Sequence, residues 1–139
     1  MSDTALVKTI ILKAPVEKVW KFLTVPERIA QWFHETDRPL DTAGTEFSWL
    51  KFDPDAEDRR QMWGRVIESD PPRRLVHTFT HDGIEELETT VTWELTPIAG
   101  GTHLRLVHEG LDQRKDQVGA LGDHDRGWDA FLSHLRFIL

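Results

Sequence analysis

The sequence predicts an α+β domain in which a curved antiparallel sheet of about six or seven strands wraps a long C-terminal helix, with two short helices after the first strand. Three observations predict it. Strand-like segments divided by turn residues fill the middle of the chain, helical period appears only towards its two ends, and 139 residues fit a single domain. A chain of this length buries roughly two-thirds of its unfolded surface without disulfide or metal support. Residues 1–139 are therefore read as one unit.

The first strand is read from ALVKTIILK, residues 5–13, which is rich in β-branched residues and stops before Ala14-Pro15. From Pro15 to Thr24 the period changes. Val16, Val19, Trp20 and Leu23 recur on one helical stripe, and Pro15 suits a first helical position. A second proline opens another short helix, Pro26 to Trp32, with Ile29, Trp32 and Phe33 on its inner side. Five strands follow: Thr45–Phe52, Gln61–Ser69, Arg74–His81, Leu87–Thr96 and Thr102–Glu109. Asp53-Pro54-Asp55, Asp70-Pro71-Pro72, His81-Asp82-Gly83 and Ala99-Gly100-Gly101 separate them, and each is a turn composition. Such spacing makes a meander. The charged run Asp112–Asp116 reads as a solvated loop or first turn. From about Val118 to Leu139, residues Leu121, Trp128, Leu132, Leu135 and Leu139 share a helical stripe, with Phe131 and Ile138 beside it. Gly119, Gly122 and Gly127 weaken its first half, by up to about 1 kcal/mol each.

Six Trp and seven Phe accompany no Tyr, so indole N–H groups are the only polar handles of the aromatic set. Net charge is −7 with dispersed basic residues, which argues against nucleic acid as a partner. The absence of cysteine excludes disulfides and thiolate chemistry. No apolar run approaches the roughly 18 residues of a spanning helix, so no membrane insertion is expected. The start MSDTALVKT lacks the basic-then-apolar form of a signal peptide, and a cytoplasmic location is expected.

The order of elements, with the segments TIILKAPVEKVWKFLTVPERIAQWF, GRVIESDPPRRLVHTF, GGTHLRLVHEGL and GWDAFLSHL, resembles the START-like SRPBCC superfamily. Within it the chain is similar to the group named for the C-terminal domain of the heat-shock chaperone ATPase activator. The resemblance covers nearly the whole chain and implies a helix-grip fold with a hydrophobic ligand cavity. It implies no shared catalytic set. Other branches bind lipids, sterols or plant hormones, or cyclise polyketides.

Alternation along the strands predicts the inner face. Phe47 and Trp49; Leu75, His77 and Phe79; Val91, Trp93 and Leu95; and Leu104, Leu106 and His108 are placed inside. Strand Gln61–Ser69 is ambiguous, because Trp63 and Ile67 share a face with Arg65 whereas Met62, Gly64 and Val66 share one with Glu68; Trp63 is provisionally placed inside. Trp32, Phe33, Trp128 and Phe131 close the space from the helical side. The expected cavity lining is thus Trp32, Phe33, Phe47, Trp49, Trp63, His77, Phe79, Trp93, Leu106, His108, Trp128 and Phe131. For any one of these aromatic residues packed core is the commoner outcome, and for His77 and His108 a hydrogen-bonded core histidine is.

No metal and no cofactor is predicted. His103 and His108 face opposite sides of a strand, His77 and His81 lie about 13 Å apart along one, and His124 and His134 about 15 Å apart along a helix. None of these pairs can chelate one ion. The leading functional expectation is binding of an apolar or aromatic small molecule. A polyketide cyclase or aromatase-like enzyme is the alternative and requires His77, His108 and Arg65 to converge. A chaperone-cofactor-like interaction module is a further one, and a protein partner or homodimer is left open. The charged residues Asp55, Glu57, Asp58, Arg59 and Arg60, like Glu85, Glu86 and Glu88, read as solvated loops; the 53–60 loop is a candidate lid over the cavity.

Overall fold

A computed structural model describes residues 4–82, 84, 87–114 and 116–139. Gly83 of the expected turn, Glu85 and Glu86 of the expected acidic loop, and Lys115 of the charged run lie outside the described residues. The elements are β1 (Leu6–Leu12), α1 (Val16–Thr24), α2 (Pro26–Ile29), β2 (Glu46–Leu50), β3 (Arg60–Asp70), β4 (Arg74–His81), β5 (Thr89–Ile98), β6 (Gly101–Glu109), a 3-10 turn (Leu111–Gln113) and α3 (Gln117–Ile138). All strand pairs are antiparallel, in one six-stranded sheet of order β1-β6-β5-β4-β3-β2. The predicted α+β helix-grip class is the observed one, at six strands.

Local chemistry sets the element ends. Pro15 caps α1 instead of occupying its first turn: its backbone is extended (φ −68°, ψ 158°) while its carbonyl accepts from Lys18 and Val19. Helix α2 ends at Ile29, earlier than expected, and hydrogen-bonded turns carry the chain to Phe33. At the start of α3 the Asp116 carboxylate accepts from the Gly119 amide at 3.1 Å, an N-cap. The meander leaves β1 and β2 as edges, and β1 closes onto the last strand with Leu6 opposite His108 and Leu12 opposite Thr102.

The inner rows follow the two-residue period. Phe47, Trp49, Leu75, His77, Phe79, Val91, Trp93, Leu95, Leu104, Leu106 and His108 are all buried. Trp20, Leu23, Ile29, Trp32 and Phe33 from the first helices, with Trp128, Leu132 and Leu135 from α3, complete the core.

Strand β3 corrects the provisional placement of Trp63. Met62 and Val66 are the buried row, so Trp63 points to the outer face, where the Arg60 guanidinium lies 3.8 Å from its ring centroid. The reason lies in its neighbours. Arg65 shares Trp63's face and is a cation that burial would leave uncompensated; it stays exposed, 3.6 Å from Glu88. Gly64 lets β3 press against β4, since a Cβ there would collide with the Thr78 carbonyl oxygen. The indole ring covers the strand from outside while its charged neighbours stay wet.

Gly64→Ala is therefore expected to destabilise the fold by about 2 kcal/mol, within the range for overpacked sites. Gly127→Ala, whose Cβ meets nothing within 4 Å in the middle of α3, should instead raise stability by about 0.5 kcal/mol. Urea unfolding midpoints of the two variants test both signs.

Candidate functional site

The polar centre of the core is built from two histidines and two tryptophans. The Trp93 indole N–H on β5 donates to His77 Nε2 on β4 at 2.9 Å, and the Trp128 indole N–H on α3 donates to His108 Nδ1 on β6 at 3.0 Å. An indole can only donate, so each acceptor nitrogen carries no proton. The opposite ring nitrogens must then be the donors. His77 Nδ1 donates to its neighbour's carbonyl, Thr78 O, at 2.9 Å, and His108 Nε2 to Thr89 Oγ1 at 2.8 Å. The Thr89 hydroxyl passes its own proton to the Phe79 carbonyl, which completes the chain.

Both imidazoles are thus neutral with every nitrogen engaged. Burial pushes His77 down to about 4 despite its backbone hydrogen bond. His108 is held well below the ordinary histidine range, by burial first and then by its proximity to His124, His77 and His81. Arg65 does not converge with them, because it lies on the outer face. The three-group constellation required for cyclase-type catalysis is therefore not assembled.

Space inside the sheet is small and divided. Trp32, Trp49, His77 and Trp93 border a deep void of about 20 Å³, together with Phe33, Trp128 and three aliphatic residues. That volume holds about one water. Stacked and edge-on rings fill the rest: Phe33 lies 5.8 Å from Trp128 and 4.4 Å from Phe131, and Trp93 5.6 Å from Trp128. Phe47, Leu106 and His108 are buried without bordering this void.

Nearer the surface a cleft of about 280 Å³ opens between β3, β4 and α3. Phe33, Phe79, Trp128 and Phe131 line it, and so do Gln61, Met62, His81, Asp123, His124 and Gly127, which sequence reasoning did not assign to the site. A signal for two of them was present. His81 continues the inner row of Phe79, and His124 lies four residues before Trp128 on the same face of α3. Their imidazoles meet with Nε2 atoms 2.9 Å apart, across 43 residues of sequence. No residue of the 53–60 loop lines the cleft. That loop is tied to itself, through Lys51 N to Arg59 O and Arg60 N to the Asp58 carboxylate. Among the described residues, no group of three or more His, Cys, Asp or Glu is placed to hold a metal ion.

On the far side of α3, Lys8 from β1 reaches Asp125 and, at 2.8 Å, Asp129. Burial opposes the lysine's charge, yet hydrogen bonds to these two carboxylates outweigh it and hold the lysine above its ordinary value.

Residues 13–139 match the family described as activator of Hsp90 ATPase homolog 1-like protein. The chain belongs to that family. The expected START-like SRPBCC membership rests on the same match and on solved structures of the same fold. The chain is similar to MLL2253 from Mesorhizobium loti, at 28% identity and a TM-score of 0.79, covering 96% of this chain and 94% of that one. It is also similar to CalU16 from Micromonospora echinospora, at 26% identity and TM-score 0.74, over 94% of this chain and 73% of that one. DynU16, from the dynemicin biosynthetic locus, aligns at 26% identity and TM-score 0.77 over 96% of this chain, which spans 46% of DynU16. No curated protein matches the sequence. No helix among the described residues is long and apolar enough to cross a membrane.

A pH dependence follows from the buried histidines. Between the unfolded value near 6.5 and the folded value of about 4 for His77, the unfolded chain binds more protons, so stability falls as pH drops through that window. His77 alone should remove about 3 kcal/mol by pH 4, with His108 acting in the same direction. Urea titrations at pH steps from 7.5 to 4.5 check this, and a flat profile between pH 6.5 and 5 would contradict the neutral assignment.

Proposed function

We propose that the chain binds a small aromatic or apolar molecule in the cleft between β3, β4 and α3. The observation that carries this reading is the combination of an apolar ring-lined wall with a glycine on the helix that borders it. Phe33, Met62, Phe79, Trp128 and Phe131 supply the wall, and Gly127, beside Trp128 on α3, leaves open the space where a Cβ would stand. A glycine inside a helix costs about 1 kcal/mol against alanine. Here it preserves space where any larger side chain would project beside Trp128.

At about 280 Å³ the cleft lies near the lower end of the roughly 300–1,000 Å³ found for ligand pockets. That favours a guest of about one or two fused rings over a sterol-sized one. The deep void, the predicted centre of the cavity, is too filled to share in binding unless the rings of Phe33 and Trp128 move. Similarity to DynU16, a protein from a biosynthetic locus, supports a small-molecule guest in place of a macromolecular partner. The exposed large apolar residues, among them Val7, Ile11, Phe52, Ile67, Val118 and Phe137, are distributed over several elements, which gives an interaction-module reading less support.

Calorimetry with 2-naphthol and 2-naphthamide tests the proposal. Wild-type protein should bind at least one of them, and Gly127→Leu should weaken that binding at least tenfold without lowering the melting temperature. Absence of binding by the wild type, or undiminished binding by Gly127→Leu, would overturn it.

A further inference from the structure

The contact between His81 and His124 contains a proton count that neutral rings cannot meet. His81 Nδ1 lies 2.6 Å from the Asp82 carbonyl oxygen, His124 Nδ1 lies 2.6 Å from the Ala120 carbonyl oxygen, and the two Nε2 atoms lie 2.9 Å apart. Each of these three contacts is a hydrogen bond only if one proton sits in it. A carbonyl oxygen has none to give, so both Nδ1 atoms must be protonated. Two neutral imidazoles supply two protons in all. The third contact would then set two bare lone pairs against each other at 2.9 Å. Turning either ring to its other tautomer only moves the conflict to a carbonyl. One added proton between the Nε2 atoms satisfies all three contacts at once.

We propose that His81 and His124 form a proton-sharing, singly cationic pair at the cleft mouth, and that it selects an aromatic guest bearing a carboxylate. The proposal rests on the cleft reading above and names the class of guest. The pair faces the same opening as Phe79, Trp128 and Phe131, so a ring seated on that apolar wall brings a substituent on its edge to the two imidazoles. Binding couples to proton uptake. A carboxylate entering a neutral pair draws one proton from solvent into the Nε2–Nε2 gap, where an N–H bond forms and the carboxylate keeps its charge beside the new cation.

Among the described residues, the surroundings resist a second proton more than a first. On α3, burial is the largest influence and holds His124 below the ordinary histidine range, while its bond to the Ala120 carbonyl and the nearby Asp123, whose Oδ1 is held at 2.6 Å by Arg126, favour its charge. From the end of β4, Asp82 lies beside His81. From β6, His108 lies 5.5 Å from the His124 ring, neutral and bound on both nitrogens. From β3, Gln61 and Met62 line the cleft, both uncharged, with Met62 opposite His81 in the strand register. Asp125 is engaged by Lys8, and Glu88 lies beside Arg65 on the other face. Burial resists the first proton as well as the second, and a charge on His81 then opposes a second one on His124 in addition.

The experiment compares 2-naphthoate with its uncharged isostere 2-naphthamide, by calorimetry in two buffers of different ionisation enthalpy from pH 6 to 8.5. The expected result is at least tenfold tighter binding of 2-naphthoate at pH 6, and a proton uptake that rises towards one per naphthoate as pH rises. The amide should show none. His124→Gln should abolish the preference and the uptake while still binding 2-naphthamide. Independently, nitrogen-detected NMR of the wild-type imidazoles should show the first proton appearing on both rings in one step. Equal affinity of the two probes without proton uptake, or two rings that titrate independently, would overturn the shared pair and leave the cleft reading intact. Failure of both probes to bind would remove the cleft reading and the guest assignment with it.

Discussion

Two indole N–H groups are trapped between the sheet and α3, and each is a donor with no capacity to accept. Leaving either unsatisfied in the core would cost about 1–3 kcal/mol. Both are satisfied by histidine: Trp93 by His77 and Trp128 by His108. That single requirement propagates. It strips one nitrogen of each imidazole, which makes the other a donor, and Thr78 and Thr89 then accept from them. Through these bonds the long helix is tied to β6, β6 to β5, and β5 to β4. In a chain without tyrosine, no phenol hydroxyl is present to donate and accept in the same place.

The same constraint decides where chemistry can occur. A histidine serves as acid or base only if it can change its proton, and His77 and His108 can do so only by breaking a buried hydrogen bond. Their depressed basicity is the consequence of that environment, with burial as its largest cause. They hold the core together. The imidazoles that reach the cleft, His81 and His124, are instead half-buried, and their partners are carbonyl oxygens and each other.

Most of the fold was legible because period and punctuation agree along the chain. Strand β4 has the expected bounds, Arg74 and His81, because Asp70-Pro71-Pro72 precedes it and Asp82-Gly83 follows it in the sequence. The inner rows of β2, β4, β5 and β6 followed from alternation alone. On β3 the two faces carry similar apolar weight, which leaves the placement of Trp63 provisional; the deciding fact is the exposed charge of Arg65 on that same face, together with the close approach at Gly64. Volume was not legible at all. Whether aromatic rings fill a space or border it depends on their rotamers and stacking, and the contacts of Phe33 with Trp128 and Phe131 close most of the expected interior. The meeting of His81 with His124 needed the placement of α3 across the sheet, which neither segment specifies locally.

That placement explains why the cleft and the His81–His124 contact coincide. The fully buried residues of α3 are Trp128, Leu132 and Leu135, all in its C-terminal half, and Lys8 clamps the helix through Asp125 and Asp129 on the opposite side. Its first two turns have only half-buried or exposed residues against the sheet. Their polar contact with the sheet is His124 on His81. The weakly packed end of the helix therefore borders the cleft because apolar packing stops at Trp128, and polar side chains beyond that point must find partners at its rim. A fully apolar α3 would have continued the core through residues 120–127 and left no opening. By placing Gly127 and His124 there, the sequence ends the core about two turns early and surrounds the resulting gap with aromatic rings and the two imidazoles.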